Sequence, residues 1–400
     1  MINRKSIINI CLSLCLLAST AILSACGGDD GGSNSGQKIP PVDQDEHTTT
    51  ATIDETYEYK LPVIFHVIYQ DGADGSQYIP SARLQQLLQY VNMIYQGGII
   101  GESEGVKLRF VAAEYDENGN KLAMPGVEYV KWTEAYPISP SEFMSDNTGK
   151  YVKYLWNPNE YINVMMYNFK NDDSDGTVLG ISHMPYTLEG SDALVGLETT
   201  KQKYITKRNL RYAHCVSINS LYANRDASGK YYQSDRYTST NHQATYISPM
   251  DVVVTLAHEL GHYLGLFHTF SETHQQSSTA TTLAAATDGC EDTDYCDDTP
   301  SYNRSEYIDY LEYYMKYHTS PLLDDVLRRQ TCEGDNFSSD NIMDYAYTLG
   351  YKITPEQKQR IRNVLYYSPM IPGPKKNGAN TRAANTEQEG KIDLRPIIAK

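Results

Sequence analysis

The run His258-Glu259-Leu260-Gly261-His262-Tyr263-Leu264-Gly265-Leu266-Phe267-His268 constrains this 400-residue chain more than any other feature in it. Val253, Val254, Leu256, Ala257, Leu260 and Leu264 recur at helical spacing around it. His258 and His262, four apart, therefore share one helix face and present two imidazoles to one ion. Glu259 stands one step round the same helix, beside such an ion without ligating it. Gly265 stops the helix and permits a sharp turn, so that His268 returns as a third nitrogen ligand. Three neutral imidazoles with one open position describe a catalytic zinc site rather than a closed structural one. With 10 His and 27 Gly in the chain, composition alone yields this pattern in roughly 3 of 100,000 such sequences. Incidental His on a buried amphipathic helix is therefore set aside.

The first residues address the compartment. Arg4 and Lys5 precede an uncharged apolar run from Ile7 to Leu23, which reads as a signal peptide over residues 1–25 rather than a membrane span. Leu23-Ser24-Ala25-Cys26 resembles the lipobox of bacterial lipoproteins, which implies lipidation of Cys26 and a membrane anchor. Residues 26–57 are Gly-, Ser- and Asp-rich and read as a flexible tether. The expected location is the bacterial outer membrane, surface-exposed or released; Asp29-Asp30 resembles surface-export signals of Bacteroidetes lipoproteins. Seven Cys are too few for a disulfide scaffold, and three of them (Cys11, Cys15, Cys26) belong to export. Cys215, Cys290, Cys296 and Cys332 remain in an oxidising compartment, and four Cys allow three full connectivities. Against 34 Lys+Arg stand 50 Asp+Glu, a net charge of −16, so nucleic acid is excluded as a partner.

A catalytic domain is expected over residues 58–367. Leu61–Tyr69, Val106–Ala112, Tyr161–Tyr167 and Cys215–Ile218 read as strands, and Ser81–Gln96 as a helix with Leu84, Leu87, Leu88, Val91 and Ile94 on its apolar face. This order predicts a mixed sheet with a backing helix. Ser248-Pro249 reads as the start of the His258 helix, and Thr354-Pro355 as the start of a last helix reaching about Leu365. Between them lie a Ser/Thr/Ala-rich loop (Gln275–Thr287), an acidic loop (Gly289–Pro300) and a Tyr-rich inserted helix (Tyr307–Lys316). Residues 368–400 are Pro-, Gly- and Asn-rich and are expected to be a disordered tail.

The extended His-Glu pattern resembles that of the metzincin metallopeptidases. Asn341-Ile342-Met343-Asp344-Tyr345 fits the Met-containing turn of that group. The order of LPVIFHVIY, HELGHYLGLFHTF, DYCDDTP, NIMDYAY and ITPEQKQRIR, spanning most of residues 60–366, is similar to the pappalysin branch. The resemblance implies an α+β, zincin-like metzincin fold. Its parts are a mixed twisted sheet with a backing helix, an active-site helix, and an irregular lower subdomain with the Met-turn at Met343. It implies a zinc-dependent endopeptidase for protein or peptide substrates at the cell envelope. In that reading His258, His262 and His268 hold zinc, Glu259 is the general base, and Tyr345 stabilises the transition state. Gly180–Pro185 is the cleft-edge strand that holds substrate.

The same resemblance raises structural calcium at Asp292, Asp294, Asp297 and Asp298, where hard carboxylate oxygens suit that ion. Cys296 stands where the family has an apolar residue and is read as the unpaired thiol. The preferred disulfide is Cys290–Cys332, bracketing the loop between the zinc helix and the Met-turn. The Ser/Thr/Ala-rich loop and the Tyr-rich insertion depart from the family. A second reading, an inactive peptidase-like lipoprotein acting as an adhesin or binding module, has no need of Glu259.

Overall fold

A computed structural model of the chain describes residues 53–171, 177–286, 288–345, 347–376 and 390–399. The signal peptide, Cys26 and nearly all of the expected tether lie outside these residues. Chain order is β1 (Tyr59–Tyr69), α1 (Ser81–Tyr95), β2 (Leu108–Ala112), β3 (Val127–Lys131), α2 (Pro140–Ser145), β4 (Ile162–Tyr167), β5 (Gly180–His183), β6 (Thr187–Leu188), β7 (Thr199–Thr200) and β8 (Val216–Asn219). Then come α3 (Val252–Tyr263), β9 (Glu272–Gln276), β10 (Thr281–Ala285), α4 (Arg304–Tyr317), α5 (Leu323–Leu327), β11 (Arg328–Gln330), β12 (Asn336–Ser338), α6 (Pro355–Tyr367) and β13 (Ile397–Ala399).

The main sheet has the order β2-β1-β4-β8-β5-β13-β10-β9, with β3 continuing the β2 side of the long strand β1. β1, β2, β3, β4 and β8 run parallel, and β5 runs antiparallel to β8. Both faces of the sheet's centre are covered, which is why its strands are continuous apolar runs rather than alternating ones. Val63, Phe65, Val164, Met166, Val216 and Ile218 point into a core shared with α1, α3 and α6. Met165, Tyr167 and Cys215 point the other way, onto Phe143 and Met144 of α2 and onto Leu155. The five apolar residues expected on α1 are all buried.

Three segments differ from the sequence expectation. First, α3 starts at Val252, one turn later than Ser248-Pro249 suggested. Ser248 Oγ accepts only the Met250 N–H (3.2 Å), whereas the Asp251 carboxylate accepts both Val253 and Val254 N–H (2.9 and 3.3 Å). A carboxylate at a helix N-terminus is the stronger cap. Second, the Ser/Thr/Ala-rich loop is an antiparallel hairpin, β9–β10. Its strands lie at the sheet's edge with most side chains of β9 exposed, so no apolar alternation marked them. Third, residues 390–399, expected within the disordered tail, run along the body, and β13 inserts between β5 and β10. Ile397, Ile398 and Ala399 are buried there, and that burial outweighs a Pro/Gly/Asn-rich approach.

α6 begins as expected, with a reciprocal box between Thr354 and Gln357 and Pro355 in the first turn. Beyond it Lys375 is buried, and its Nζ donates to Leu365 O (2.8 Å). Burial pulls its pKa from 10.5 down to about 7. The unfolded chain keeps that proton to about pH 10.4, so unfolding takes up a proton between those values and stability rises with pH across that window. Lys375→Met is expected to flatten this rise, checked by comparing urea midpoints at pH 7 and pH 9 for both forms.

Candidate metal centre and active site

α3 carries His258 and His262 one turn apart, and both are buried. The helix ends at Tyr263 with Leu264 as its cap, and Gly265 follows with φ +94°, a region open to glycine and strained for other residues. A Cβ there would also lie 2.9 Å from Val364 Cγ2 on α6. This reversal returns the chain so that His268 faces the helix. The three Nε2 atoms lie 3.0, 3.1 and 3.1 Å apart. A tetrahedral ion with nitrogen ligands at about 2.0–2.1 Å separates them by about 3.3 Å, close to this spacing.

The outer ring nitrogens fix the tautomers. His258 Nδ1 donates to Ile342 O and His262 Nδ1 to Leu266 O, each at 2.7 Å. His268 Nδ1 pairs with Glu272 Oε1 in a fully buried contact. Carbonyl oxygens only accept, so the Nε2 atoms of His258 and His262 carry lone pairs. Burial, reinforced by the neighbouring His268 imidazole, holds His258 near pKa 3 and His262 well below the usual imidazole range. Buried lone pairs converging at 3 Å with no proton between them repel one another unless a cation lies among them, so the donor set fits a metal ion. Among the described residues, these three His form the one group of three or more metal-type side chains whose ligand atoms converge within 4.8 Å.

Glu259 is buried beside the triad, its Oε2 has no hydrogen-bond partner, and burial pushes its carboxyl well above the usual range. β5 passes directly over it. A Cβ on Gly180 would lie 2.5 Å from Glu259 Cγ and Oε1, so only glycine admits the carboxylate here. Tyr345 closes the opposite side, its ring 5.2 Å from that of His258 and 4.4 Å from that of His268. Burial, then the charges of Glu259 and Glu272, raise its phenol well above the usual range. His258, Glu259, His268, Tyr345, Gly180 and Arg304 all line one cavity of about 720 Å³.

The Met-turn is clamped from two directions. Asn341 and Gln357 exchange side-chain amide bonds (2.9 and 3.1 Å), Asn341 Oδ1 takes the Met343 N–H, and Met343 O takes the Thr269 N–H (3.2 Å). Asp344 accepts from the hydroxyls of Tyr302 and Ser339 and faces buried Arg329 at 3.6 Å. Arg329 stacks 3.3 Å from the Tyr307 ring and donates to Tyr345 O and Tyr347 O (3.2 and 2.8 Å). The Tyr-rich insertion thus supports the floor under Tyr345.

The other predicted residues fall as follows. Cys290 and Cys332 form a disulfide with Cα atoms 5.7 Å apart, and Cys215 and Cys296 are buried free thiols. Closing a loop of 42 residues restricts the unfolded chain by about 4 kcal/mol in the chain-entropy account. The four loop aspartates do not converge. Asp294 turns inward to the Thr299 hydroxyl and the Cys296 N–H (2.7 and 2.9 Å), and burial pushes it up to about 8. Asp292 accepts the Asp294 N–H, Asp298 accepts the Glu356 N–H at the start of α6, and the Asp297 N–H goes to Glu356. His183 is an interior residue bonded to Met144 O and the Cys215 N–H.

Sequence reasoning missed Glu272, Arg304 and Arg329. Glu272 sits four residues after His268, a spacing that could have drawn attention to it. Glu272→Gln is expected to weaken metal affinity by about 10–100-fold while leaving the fold intact, measured by competition with a metal-binding dye and by circular dichroism.

Residues 198–366, which span α3, His268 and the Met-turn, match the model of a metallopeptidase family described as pregnancy-associated plasma protein-A. That segment is similar to the pappalysin metallopeptidases. No curated protein matches it. Solved structures do. Mature mirolysin of Tannerella forsythia, in complex with a cleaved peptide, is 20% identical with a TM-score of 0.47; the match covers 76% of this chain and 90% of that one. A promirolysin mutant of the same organism is 18% identical with a TM-score of 0.47, covering 80% and 85%. The pappalysin match carries the metal-site segment as one unit. It stops short of β1–β5 and of β13, which therefore rest on the geometry of this chain alone.

Proposed function

We propose that this chain is a zinc-dependent endopeptidase that hydrolyses peptide bonds of proteins at the cell envelope, held there by a lipid on Cys26. The observation that carries the activity is the convergence of three buried imidazole Nε2 atoms beside the unpartnered oxygen of Glu259, at a cavity lined by His258, Glu259 and His268. His258, His262 and His268 would hold the ion, with Ile342 O, Leu266 O and Glu272 fixing their rings. Zinc, when bound, polarises the scissile carbonyl and lowers the pKa of water to about 7.

Glu259 takes a proton from the attacking water as the C–O bond forms. Glu259 then hands that proton to the leaving nitrogen as the C–N bond breaks. The Tyr345 hydroxyl donates to the developing oxyanion, and the Asp344–Arg329 pair beneath keeps the phenol in place. The lipobox at Cys26 and the polar chain after it support an anchored location.

The test is incubation of the purified protein with a peptide library, with and without a zinc chelator. Cleavage abolished by chelator and restored by zinc is the expected result. Absent cleavage would shift the reading to an inactive binding module, and chelator-insensitive cleavage would remove zinc from the chemistry.

A further inference from the structure

β5 and β10 do not bond to each other; β13 bridges them. Ile398 and Ala399 pair antiparallel with His183 and Ser182 of β5, and Ile397 and Ile398 pair parallel with Thr281 and Thr282 of β10. Met184 N–H donates to Ile397 O and Thr281 N–H to Pro396 O, each at 2.9 Å. With neighbouring strands about 4.8 Å apart, β5 and β10 stand about 9.6 Å apart, a slot one extended chain wide.

The slot leads into the active site. Past Ala399, β5 continues through Ile181 to Gly180, and β10 continues through Ala284 to Ala285. Gly180, Ala284 and Ala285 line the same cavity as His258, Glu259 and His268. At about 3.3 Å per residue, Ala399 is roughly 7 Å from the level of Gly180, whose Cα abuts Glu259.

We propose that the slot between β5 and β10 is the peptide-docking groove of the active site, and that the chain's own Pro396–Ala399 occupies it as an internal competitor for substrate. This rests on the peptidase reading above and assigns regulation to the same site. Backbone bonds on both edges give affinity to any extended segment, and side-chain pockets select among them. The occupant reports those pockets: Ile397 and Ala399 face the core containing α3, Ile398 faces the opposite core, and Ala399 is fully enclosed. Substrates favoured by the slot carry two adjacent aliphatic residues followed by a small one, in extended form. The approach to the slot is held by Asn209 Nδ2 to Gly390 O, Ile392 N–H to Asn209 O and Lys391 Nζ to Leu210 O, and by Leu394 and Ile392 packing on the second core.

The test compares the full chain, a chain ending at Gly390, and full-length Ile398→Asp. The readouts are binding of a fluorescein-labelled peptide of residues 391–399 and cleavage of a quenched peptide library. Circular dichroism and metal content are checked in parallel. Both altered forms are expected to bind the labelled peptide at least tenfold more tightly than the full chain and to raise kcat/KM at least tenfold, with unlabelled peptide inhibiting competitively. A folded truncated form that neither binds the peptide nor gains activity overturns the proposal. So does unfolding of both altered forms, since β13 would then be permanent scaffold. If the truncated form binds the peptide but no form cleaves anything, the slot stands and the peptidase reading falls.

Discussion

Glu259→Gln is expected to lower kcat/KM by about 10³-fold while zinc content stays at one ion per chain. The substitution preserves shape under Gly180, where no larger backbone neighbour fits, and it leaves every nitrogen of the triad untouched. It removes only the group able to carry a proton from water to the leaving amine. An amide cannot take that proton, so KM should change little and kcat should carry the loss. Zinc analysis together with steady-state kinetics separates this outcome from its rivals. Loss of zinc would make Glu259 a structural support of the site, and undiminished kcat would remove it from the chemistry.

His262→Ala is expected to have the largest effect on the metal itself. His262 is fully buried, and its Nδ1 is locked to Leu266 O on the turn that brings His268 back. Removing its imidazole deletes one of three ligands and opens a hole inside the core, so tight zinc binding should be lost. Ligand binding to the native state stabilises it by RT ln(1 + [L]/Kd), about 4 kcal/mol at a thousandfold excess over Kd. The wild type should therefore show a zinc-dependent rise in Tm that disappears in the variant. A variant with an unchanged zinc-dependent rise would place the ion elsewhere.

Much of this centre was legible in advance because its determinants are local. A four-residue His spacing, a glycine at a reversal and a Thr-Pro cap each act within a few residues, and α3, the Gly265 turn and α6 follow from them. The start of α3 was misplaced by one turn because Ser248-Pro249 and Asp251 both carry capping signals, and only bond geometry ranks them. β9–β10 and β13 were illegible for another reason. β13 pairs with residues more than a hundred positions away, and in all three segments strands of three to five residues carry too little periodicity to register. Arg329 and Asp344 likewise become partners through the packing of a Tyr-rich insertion that composition described only as aromatic.

Glu272 belongs to two structures at once: it orients His268, and it opens the hairpin whose second strand walls the slot. Two binding events that share one such residue cannot be energetically independent. Whatever factor an occupant of the slot gains from a filled metal site, the metal gains from the occupied slot, because coupling between two ligands is reciprocal. Metal retention and strand docking would then be linked by one coupling free energy, and removing the metal would change the protein's hold on peptide by the same factor.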